Sequence, residues 1–191
     1  MSYYDEHADA FVSATRNADM GPILARFLRL LPDNACVLDW GCGSGRDARA
    51  MLQAGCAVVA VDLSCAMCSA TAALTGLQPR NESFSELCDV ACYDGIWANA
   101  SLLHAANHEL PQLLQRAATA LKPNGILYAS FKYGSDEGER NGRFFNDMDE
   151  AKLASVLGSV SSLRLLETRV THDVRPERSD ELWLNCLFAR A

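Results

Sequence analysis

The sequence contains no long apolar run and no excess of positive charge. None of its apolar stretches approaches the roughly 20 residues that a helix needs to cross a bilayer. Its 17 Lys and Arg residues are outnumbered by 24 Asp and Glu residues, for a net charge of −7. This balance argues against a broad basic surface for nucleic acid or an anionic membrane. The acidic, mixed N-terminus, MSYYDEHADAF, is unlike a signal peptide, so we expect a cytoplasmic protein with no membrane partner.

Internal repeats and low-complexity segments are also absent, and no linker is long enough to divide the chain. With 191 residues, of which 49% are hydrophobic and 21% charged, the composition is that of an ordinary globular protein. We therefore predict a single domain over residues 1–191. Residues 1–34 precede the first predicted strand, and apolar spacing predicts two helices in them, over 4–16 and 22–31.

The eight cysteines raise the question of a metal site. Cys65 and Cys68, followed by Cys88 and Cys92, have a spacing that zinc could use in principle. However, Cys65 and Cys68 fall on the first turn of a predicted helix, and neither pair lies on the tight turn that zinc sites favour. We expect reduced thiols that pack as small hydrophobic groups, with a metal or redox role as the alternative.

The segment 37–47, VLDWGCGSGRD, is the most informative part of the chain. It predicts the end of a buried strand, a turn with glycines at alternate positions, and the start of a helix. Such a turn lets the backbone bend sharply and lets a ligand approach it closely. The next predicted strand, VVAVD, ends in Asp62, and this order of elements is typical of an adenosine-binding unit. The glycines are Gly41, Gly43 and Gly45.

The glycine spacing favours one adenosine cofactor over another. Dinucleotide sites have G-x-G-x-x-G, which brings a helix N-terminus to a pyrophosphate, whereas this chain has G-x-G-x-G preceded by Asp39. An anion is poorly placed beside Asp39, and a ligand with an ammonium and a sulfonium is better placed there. DWGCGSGRD resembles motif I of the class I S-adenosylmethionine-dependent methyltransferases. The chain is most similar to their small single-domain bacterial members, such as the tellurite-resistance-like and type 11/12 methyltransferases.

The resemblance extends over most of the chain. YDGIWANASLLH is similar to that family's fourth-strand motif, and LKPNGILYASF to its fifth strand and the turn before it. We predict an α/β fold with a doubly wound, Rossmann-like sheet of seven strands, mostly parallel with strand seven antiparallel, and helices on both faces. A charged loop is expected at 132–147. The predicted strands are 36–39, 57–62, 78–80, 95–99, 126–131, 163–172 and 181–189, and the helices between them are 46–54, 65–75, 109–121 and 149–157.

Ligands of such sheets lie at the carboxyl ends of the strands. The resemblance implies that the three glycines line the methionine part and the ribose edge of the cofactor. It implies further that Asp39 faces the amino group and that Asp62 accepts hydrogen bonds from both ribose hydroxyls. Alternatives are a surface position for Arg46, a core position for Phe84 and a helix-capping role for Asp39. The other predicted cofactor contacts are Cys42 (through packing), Arg46, Leu63 and Phe84 (beside the adenine), Ser83, Asn99 and Ala100.

Methyl transfer is a single displacement, so the protein must mainly align the acceptor and exclude water. His104 is a candidate general base or substrate contact, and the alternative is a histidine at a helix start that bonds to backbone. In the segment 131–147, cations interleaved with aromatic residues suit a small anionic or planar substrate. A solvated loop neutralised by its own acids is the alternative. The substrate-binding candidates are Lys132, Tyr133, Arg140 and Arg143.

Two further segments have weaker signals. Tyr4 is a substrate-binding candidate because, by analogy with related small methyltransferases, the N-terminal segment covers the site. Arg175 and Arg178 lie beside acids, and we interpret them as part of a solvated turn. Trp97 is interpreted as a core residue.

We therefore expect an enzyme that transfers a methyl group from S-adenosylmethionine to a small molecule and releases S-adenosylhomocysteine, as a monomer or homodimer without a metal. Thiol, metalloid, amine and hydroxyl acceptors remain open. The sequence NASL stands where one class of amino methylases has N-P-P-Y, which disfavours their mechanism. The alternatives are a tRNA-modifying methyltransferase, which would need a partner protein to supply an RNA surface, a non-catalytic cofactor-binding regulatory module, and a dehydrogenase.

Overall fold

The structure, a computed structural model, describes residues 3–16 and 18–191. A sheet of seven strands forms the centre of its fold. Two further strands form a separate hairpin. In chain order the strands are β1 (Cys36–Trp40), β2 (Ala57–Asp62), β3 (Arg80–Asn81), β4 (Tyr93–Ala98), β5 (Leu121–Lys132), β6 (Glu137–Arg140), β7 (Arg143–Asn146), β8 (Leu163–His172) and β9 (Leu182–Arg190).

The strand order across the sheet is β3-β2-β1-β4-β5-β9-β8. The first five strands along the chain pair in parallel, whereas β9 runs antiparallel to both β5 and β8. The predicted doubly wound sheet of seven strands with an antiparallel last strand is confirmed. The strand order reverses between β1 and β4, and the carboxyl ends of these two strands therefore flank the crevice in which such sheets bind ligands.

The helices agree with the predicted pattern except at the N-terminus. Helix α5 begins after Ser64, whose Oγ accepts a hydrogen bond from the Met67 amide, and it ends at Gly76, which has a φ of +76°. The predicted helix over 4–16 is instead two helices, because the backbone of His7 is not helical. The helices are α1 (Tyr3–Glu6), α2 (Ala8–Thr15), α3 (Gly21–Leu28), α4 (Arg46–Gln53), α5 (Cys65–Thr75), α6 (Leu110–Ala120) and α7 (Glu150–Leu157).

Alternate residues of the central strands supply two separate apolar cores. Leu38 and Trp40 of β1 pack in one core with α6 and α7, whereas Val37 packs in the other with α3 and α4. This alternation is expected because successive side chains of a strand point to opposite faces. Trp97 is fully buried in the second core, as predicted. Helices therefore cover both faces of the sheet.

The segment 132–147 contains a hairpin where a loop was predicted. Strands β6 and β7 are antiparallel and are joined at Asn141 and Gly142, whose φ values are +52° and +74°. Two positive φ values in a two-residue connection are those of a type I′ turn, for which Asn-Gly is a strong signal. The prediction was wrong because the charged flanks of this pair do not alternate between apolar and polar residues. The hairpin positions Arg143 and Phe145, which matter below.

Neither a membrane span nor a metal cluster occurs in the described residues. No helix within 3–16 and 18–191 is long and apolar enough to cross a bilayer. The same residues contain no group of three or more His, Cys, Asp and Glu side chains placed to hold a metal ion. All eight cysteines are free, and Cys65 and Cys68 lie on the first turn of α5.

Candidate cofactor and substrate site

A cavity of about 530 Å³ lies at the carboxyl ends of β1, β2 and β4. The strand ends contribute Asp39, Asp62 and Asn99 to its wall, and the N-terminal helices contribute Tyr4 and Phe11. All but three of the predicted site residues line this cavity, and the three are Gly45, Tyr133 and Arg140. The fold thus brings most of the predicted cofactor and substrate residues into one space.

The glycine turn is bound to one neighbouring segment and packed against another. The amides of Gly41 and Cys42 both donate to the carbonyl oxygen of Val61, at 2.8 and 2.9 Å, which holds the turn against the end of β2. Gly41 has a φ of +88°, and a Cβ there would lie 2.4 Å from Cβ of Ser101. At Gly43 the turn faces the cavity. Only glycine fits at position 41, and because it has no side chain the ends of the strands can lie close together.

Asp62 is bound to the turn but keeps free acceptor capacity. Its Oδ2 accepts a hydrogen bond from the Gly43 amide and its Oδ1 accepts one from the Ser64 amide, both at 2.9 Å. Burial raises the pKa of Asp62, and the two amide hydrogen bonds act in the opposite direction. Each carboxylate oxygen has a second lone pair. Asp62 can therefore also accept hydrogen bonds from a ligand in the cavity.

Asp39 is a buried acid with an unsatisfied oxygen. It is 3% exposed, and its Oδ2 has no hydrogen-bond partner among the described residues. Burial raises the pKa of Asp39 well above its usual range, and the nearby Asp47 carboxylate raises it further. Since a buried charge is costly without a partner, this site favours a cationic ligand group next to Asp39 in the cavity wall.

Replacing Asp39 with asparagine is expected to stabilise the ligand-free protein at neutral and higher pH. The pKa of Asp39 is raised in the folded state, so stability falls as pH rises from about 4, the ordinary Asp value, through the raised pKa. Asparagine cannot ionise and avoids this loss. Urea unfolding of the wild-type protein and the variant at several pH values measures the difference in their free energies of unfolding. Asp136→Asn, which removes an exposed carboxylate, is the control. A stability difference that does not grow with pH would contradict the assignment.

Asp47 joins three parts of the site through hydrogen bonds. Its carboxylate accepts bonds from Arg46 Nε at 2.7 Å, from Trp97 Nε1 at 2.9 Å and from Asn99 Nδ2 at 2.9 Å. Burial raises the pKa of Asp47, but these bonds, led by the one from Arg46, hold it below its ordinary value. Arg46 also donates to the Thr15 carbonyl at 3.1 Å. Arg46 therefore lies in the cavity wall with its charge already paired.

Leu63 and Phe84 add apolar surface next to Asp62. Leu63 is 62% exposed, unusually high for a large hydrophobic side chain. Phe84 packs edge-on against Trp40, with ring centroids 5.4 Å apart, and lines the cavity as well. Ser83 begins the short 3-10 helix that carries Phe84, and its amide donates to Glu86. This surface can accept a planar ring.

His104 is held in one orientation by two hydrogen bonds. Its Nδ1 lies 2.7 Å from the Phe144 carbonyl oxygen and its Nε2 lies 2.8 Å from the Tyr4 hydroxyl. We assign the hydrogen to Nδ1, because a carbonyl can only accept, so that Nε2 accepts from Tyr4. Burial lowers the pKa of His104, and the Arg143 charge lowers it further. The ring is therefore neutral near pH 7 and can take up a proton at Nε2.

Three predicted site residues do not reach the cavity. Gly45 packs against α5, where a Cβ would lie 2.9 Å from Cα of Thr71. Tyr133 follows Lys132 on extended backbone and therefore points to the opposite side, where its hydroxyl donates to Glu150. Arg140 makes two hydrogen bonds to the Asp147 carboxylate. The predicted contacts of Tyr133 and Arg140 with substrate do not fit this placement.

The connection from β8 to β9 forms a cavity wall that the sequence analysis did not predict. Asp173 and Arg175 of the connection line the cavity, together with Trp183 at the start of β9. Arg175 donates to both oxygens of Asp173, at 2.9 and 2.6 Å, and Trp183 Nε1 donates to the same carboxylate at 3.0 Å. The Arg175 side chain is 18% exposed, so its interpretation as part of a solvated turn was wrong. The sequence contains the Asp-x-Arg pair, but the folding of this connection over the sheet end is a tertiary effect.

Residues 3–16 cover the cavity and are fixed to it by polar contacts. Ser64 Oγ donates to Asp5 at 2.6 Å, which ties α1 to the start of α5. Tyr4 bonds to His104, and Arg46 bonds to the carbonyl of Thr15. Neither α1 nor α2 contains a buried residue. The cover is thus held by side-chain contacts at its rim.

Comparisons with known proteins agree with this geometry. A family model for a methyltransferase domain matches residues 12–163. None of the curated proteins matches the sequence. One similar solved structure is a 1,6-didemethyltoxoflavin-N1-methyltransferase from Burkholderia thailandensis with bound 1,6-didemethyltoxoflavin and S-adenosylhomocysteine. It is 25% identical, with a TM-score of 0.77 over 98% of this chain and 84% of that chain.

Two further solved structures share the fold at lower identity. The magnesium protoporphyrin IX methyltransferase of Synechocystis PCC 6803, with bound S-adenosylmethionine, is 17% identical, with a TM-score of 0.65 over 100% of this chain and 85% of that chain. A methyltransferase in complex with a Haloferax volcanii methyltransferase activator is 17% identical, with a TM-score of 0.69 over 100% and 98%. Since the family model spans most of the chain, this protein belongs to the class I S-adenosylmethionine-dependent methyltransferases.

Proposed function

We propose that the cavity binds S-adenosylmethionine and that the protein transfers its methyl group to a small-molecule acceptor. The observation that carries this proposal is the pair of carboxylates, Asp39 and Asp62, on either side of a glycine turn at the ends of β1 and β2. Asp39 has an unpartnered oxygen suited to a cationic group, and Asp62 has acceptor capacity suited to hydroxyls. A pyrophosphate would be poorly placed beside the Asp39 carboxyl group, whereas an acid in the position of Asp62 suits the ribose of either cofactor.

The chain's residues fit this cofactor along its length. Asp39 would bind the ammonium group, Asp62 the two ribose hydroxyls, and Leu63 and Phe84 would pack against the adenine. When bound, the cofactor supplies an electrophilic methyl group on a positively charged sulfur. The backbone at Gly41 would allow the ligand close to the strand ends. The remaining predicted contacts that line the cavity are Cys42, Gly43, Arg46, Ser83, Asn99 and Ala100.

Tyr4 and His104 supply proton-handling groups on the acceptor side. The Tyr4 hydroxyl points its hydrogen at His104 Nε2, and the neutral imidazole can accept a proton there. An acceptor hydroxyl or protonated amine must lose a proton before or during methyl transfer, whereas a thiolate need not. For acceptors of the first kind we infer a relay: the Tyr4 hydroxyl oxygen takes the acceptor's proton as its own hydrogen moves to His104 Nε2, which leaves Tyr4 neutral and His104 as the imidazolium. Burial raises the pKa of Tyr4, so Tyr4 stays protonated and orients the pair.

A small acceptor is supported by the shape and charge of the site. Residues 3–16 lie over part of the cavity, whose volume of about 530 Å³ suits a cofactor together with a small acceptor rather than a macromolecule. The net charge of −7 does not favour a nucleic acid. Two similar enzymes, those from Burkholderia thailandensis and Synechocystis, are named for small acceptors, a didemethyltoxoflavin and a magnesium protoporphyrin.

Calorimetry with S-adenosylhomocysteine and with NAD tests the cofactor assignment. We expect one molecule of S-adenosylhomocysteine to bind per chain and no measurable binding of NAD. The Asp136→Ala variant, altered at an exposed acid outside the cavity, should give the same result. Tight binding of NAD without binding of S-adenosylhomocysteine would overturn the proposal in favour of a dehydrogenase.

Turnover then tests catalysis. The protein is incubated with S-adenosylmethionine and thiols, metalloid oxyanions, amines or phenols, and S-adenosylhomocysteine is quantified. Formation with one class supports the proposal, and His104→Gln should then lower kcat for hydroxyl or amine acceptors but not for thiolates. Cofactor binding without product from any acceptor would favour a regulatory module, and methylation of tRNA alone would favour RNA modification.

A further inference from the structure

One cation in the cavity wall lacks the acidic partner that the others have. The cavity is lined by five Lys and Arg side chains. Four of them form an ion pair with a carboxylate: Arg46 with Asp47, Arg175 with Asp173, and Lys132 and Arg178 with Glu181. Arg143 has no carboxylate within ion-pair distance among the described residues. Its charge is therefore available to a ligand.

The surroundings of Arg143 are aromatic and leave most of its donors unused. The guanidinium carbon lies 5.0 Å from the ring centroid of Tyr3, 5.9 Å from that of Tyr4 and 5.0 Å from that of Phe145. Its one hydrogen bond to a described side chain is a long one, 3.4 Å, to the Tyr4 hydroxyl. Nε is buried and has no acceptor. A guanidinium has five N–H donors, so this environment is incomplete without an acceptor.

Positive charge is concentrated around the same aromatic ring. Lys132 Nζ lies 5.6 Å from the centroid of Phe145, on which Arg143 also packs. Lys132 and Arg178 share the single carboxylate of Glu181. The neighbouring His104 is neutral, because burial lowers its pKa. This end of the cavity therefore has a net positive charge.

The glycine-turn end has two acids without a basic partner. Asp39 and Asp62 form no ion pair with a described residue, and both line the cavity. A cation is favoured there, and an anion is favoured near Arg143, because each then meets the opposite charge in a partly desolvated space. The two ends thus differ in the ligand charge that they select.

We propose that the methyl acceptor is a planar anion, such as an aromatic carboxylate or a deprotonated heteroaromatic ring, whose negative group is bound by Arg143. The aromatic rings around Arg143 contact the flat face of the acceptor, and the guanidinium supplies the paired N–H donors that suit a carboxylate. The ammonium group of Lys132 adds a long-range attraction for the negative group of the acceptor. This specificity rests on the proposed methyltransferase function, since that function places the acceptor opposite the cofactor.

Binding of three matched probes tests the proposal. Calorimetry measures naphthoate, the uncharged naphthamide of the same shape, and the non-planar cyclohexanecarboxylate, each with the protein saturated with S-adenosylhomocysteine. We expect naphthoate to bind at least about tenfold more tightly than either of the others. Equal affinities for naphthoate and naphthamide, or no binding of naphthoate, would overturn the proposal.

The variant Arg143→Met locates the effect. It should reduce naphthoate affinity by roughly tenfold to 100-fold and leave naphthamide affinity and S-adenosylhomocysteine affinity unchanged. Arg164→Met is the matched control, because Arg164 is exposed and does not line the cavity. Unchanged naphthoate affinity in Arg143→Met would refute the assignment. If that variant does not fold, Arg143→Lys replaces it, and it should also bind naphthoate more weakly because lysine keeps the charge but lacks the paired donors. The naphthoate affinity of the wild-type protein should in addition fall as salt is added. An affinity that does not depend on salt and is unchanged in Arg143→Lys would refute the assignment.

Failure of this proposal differs from failure of the proposed function. A protein that binds S-adenosylhomocysteine but does not prefer naphthoate keeps its cofactor assignment and loses only the acceptor class. A protein that does not bind S-adenosylhomocysteine loses the proposed function, whatever its affinity for naphthoate.

Discussion

Asp62→Ala is expected to weaken S-adenosylhomocysteine binding by at least about 100-fold. Hydrogen bonds to a charged group contribute about 1.5–3 kcal/mol each, and the variant loses two between the carboxylate and the ribose hydroxyls, at about 1.4 kcal/mol per factor of ten. The carboxylate also accepts the amides of Gly43 and Ser64. The free energy of unfolding should therefore fall as well, by about 1–3 kcal/mol.

Calorimetry and urea unfolding of the same samples separate the two effects. Asp62→Asn keeps one acceptor oxygen and the side-chain volume, and it should lose less affinity than Asp62→Ala. Asp136→Ala removes an exposed carboxylate outside the cavity and should change neither quantity. An Asp62→Ala variant with near wild-type affinity would remove Asp62 from the cofactor site.

The second large effect is expected for Gly41→Ala, which should lower the free energy of unfolding by about 2–5 kcal/mol. The positive φ of Gly41, +88°, costs a side-chain-bearing residue about 1–2 kcal/mol. The new Cβ would lie 2.4 Å from Cβ of Ser101, well inside the usual carbon contact of about 3.5–4.0 Å. Relief of such overpacking typically costs about 1–3 kcal/mol more, and the turn would move away from the cofactor.

Gly55→Ala is the matched control for this substitution. Gly55 has nearly the same φ, +89°, but no atom lies within 4 Å of a Cβ built there. Urea unfolding of both variants therefore separates the backbone cost from the clash. In the double variant Gly41→Ala/Ser101→Gly the clash is removed. Its loss of unfolding free energy should therefore be smaller than the sum of the losses in the two single variants. Equal destabilisation by Gly41→Ala and Gly55→Ala would show that the contact with Ser101 has no energetic consequence.

The bounds of β2 and α5 could be predicted to the residue, and those of β1 and α4 to within one residue, because their signals are local. Strand β2 contains the apolar, β-branched run of VVAVD, and α5 has a capping Ser64 and a terminal Gly76. Each signal acts within a few residues of the chain, so no knowledge of the tertiary structure was needed. The same holds for the parallel order of the sheet, which follows from alternating strands and helices.

The acceptor side of the cavity could not be predicted in the same way. The position of Arg143 depends on the hairpin at 137–146, whose Asn-Gly signal lies among charges. The pairing of Arg175 with Asp173 depends on how the connection between β8 and β9 folds over the sheet end. Arg175 and Arg46 pair with acids close to them in sequence, but their places in the cavity wall, and the aromatic surroundings of Arg143, are decided by residues distant in sequence.

The attachment of the N-terminal helices has a consequence for how substrate access can evolve. A helix of four residues such as α1 has no stability of its own, and no side chain of residues 3–16 belongs to either apolar core. Changes at residues of this segment outside its contacts through Tyr4, Asp5 and Thr15 can therefore alter how quickly ligands enter and leave while the two cores keep their packing. The segment that controls access to the cavity is thus distinct from the two cores that stabilise the fold, and the two are joined through a few polar contacts.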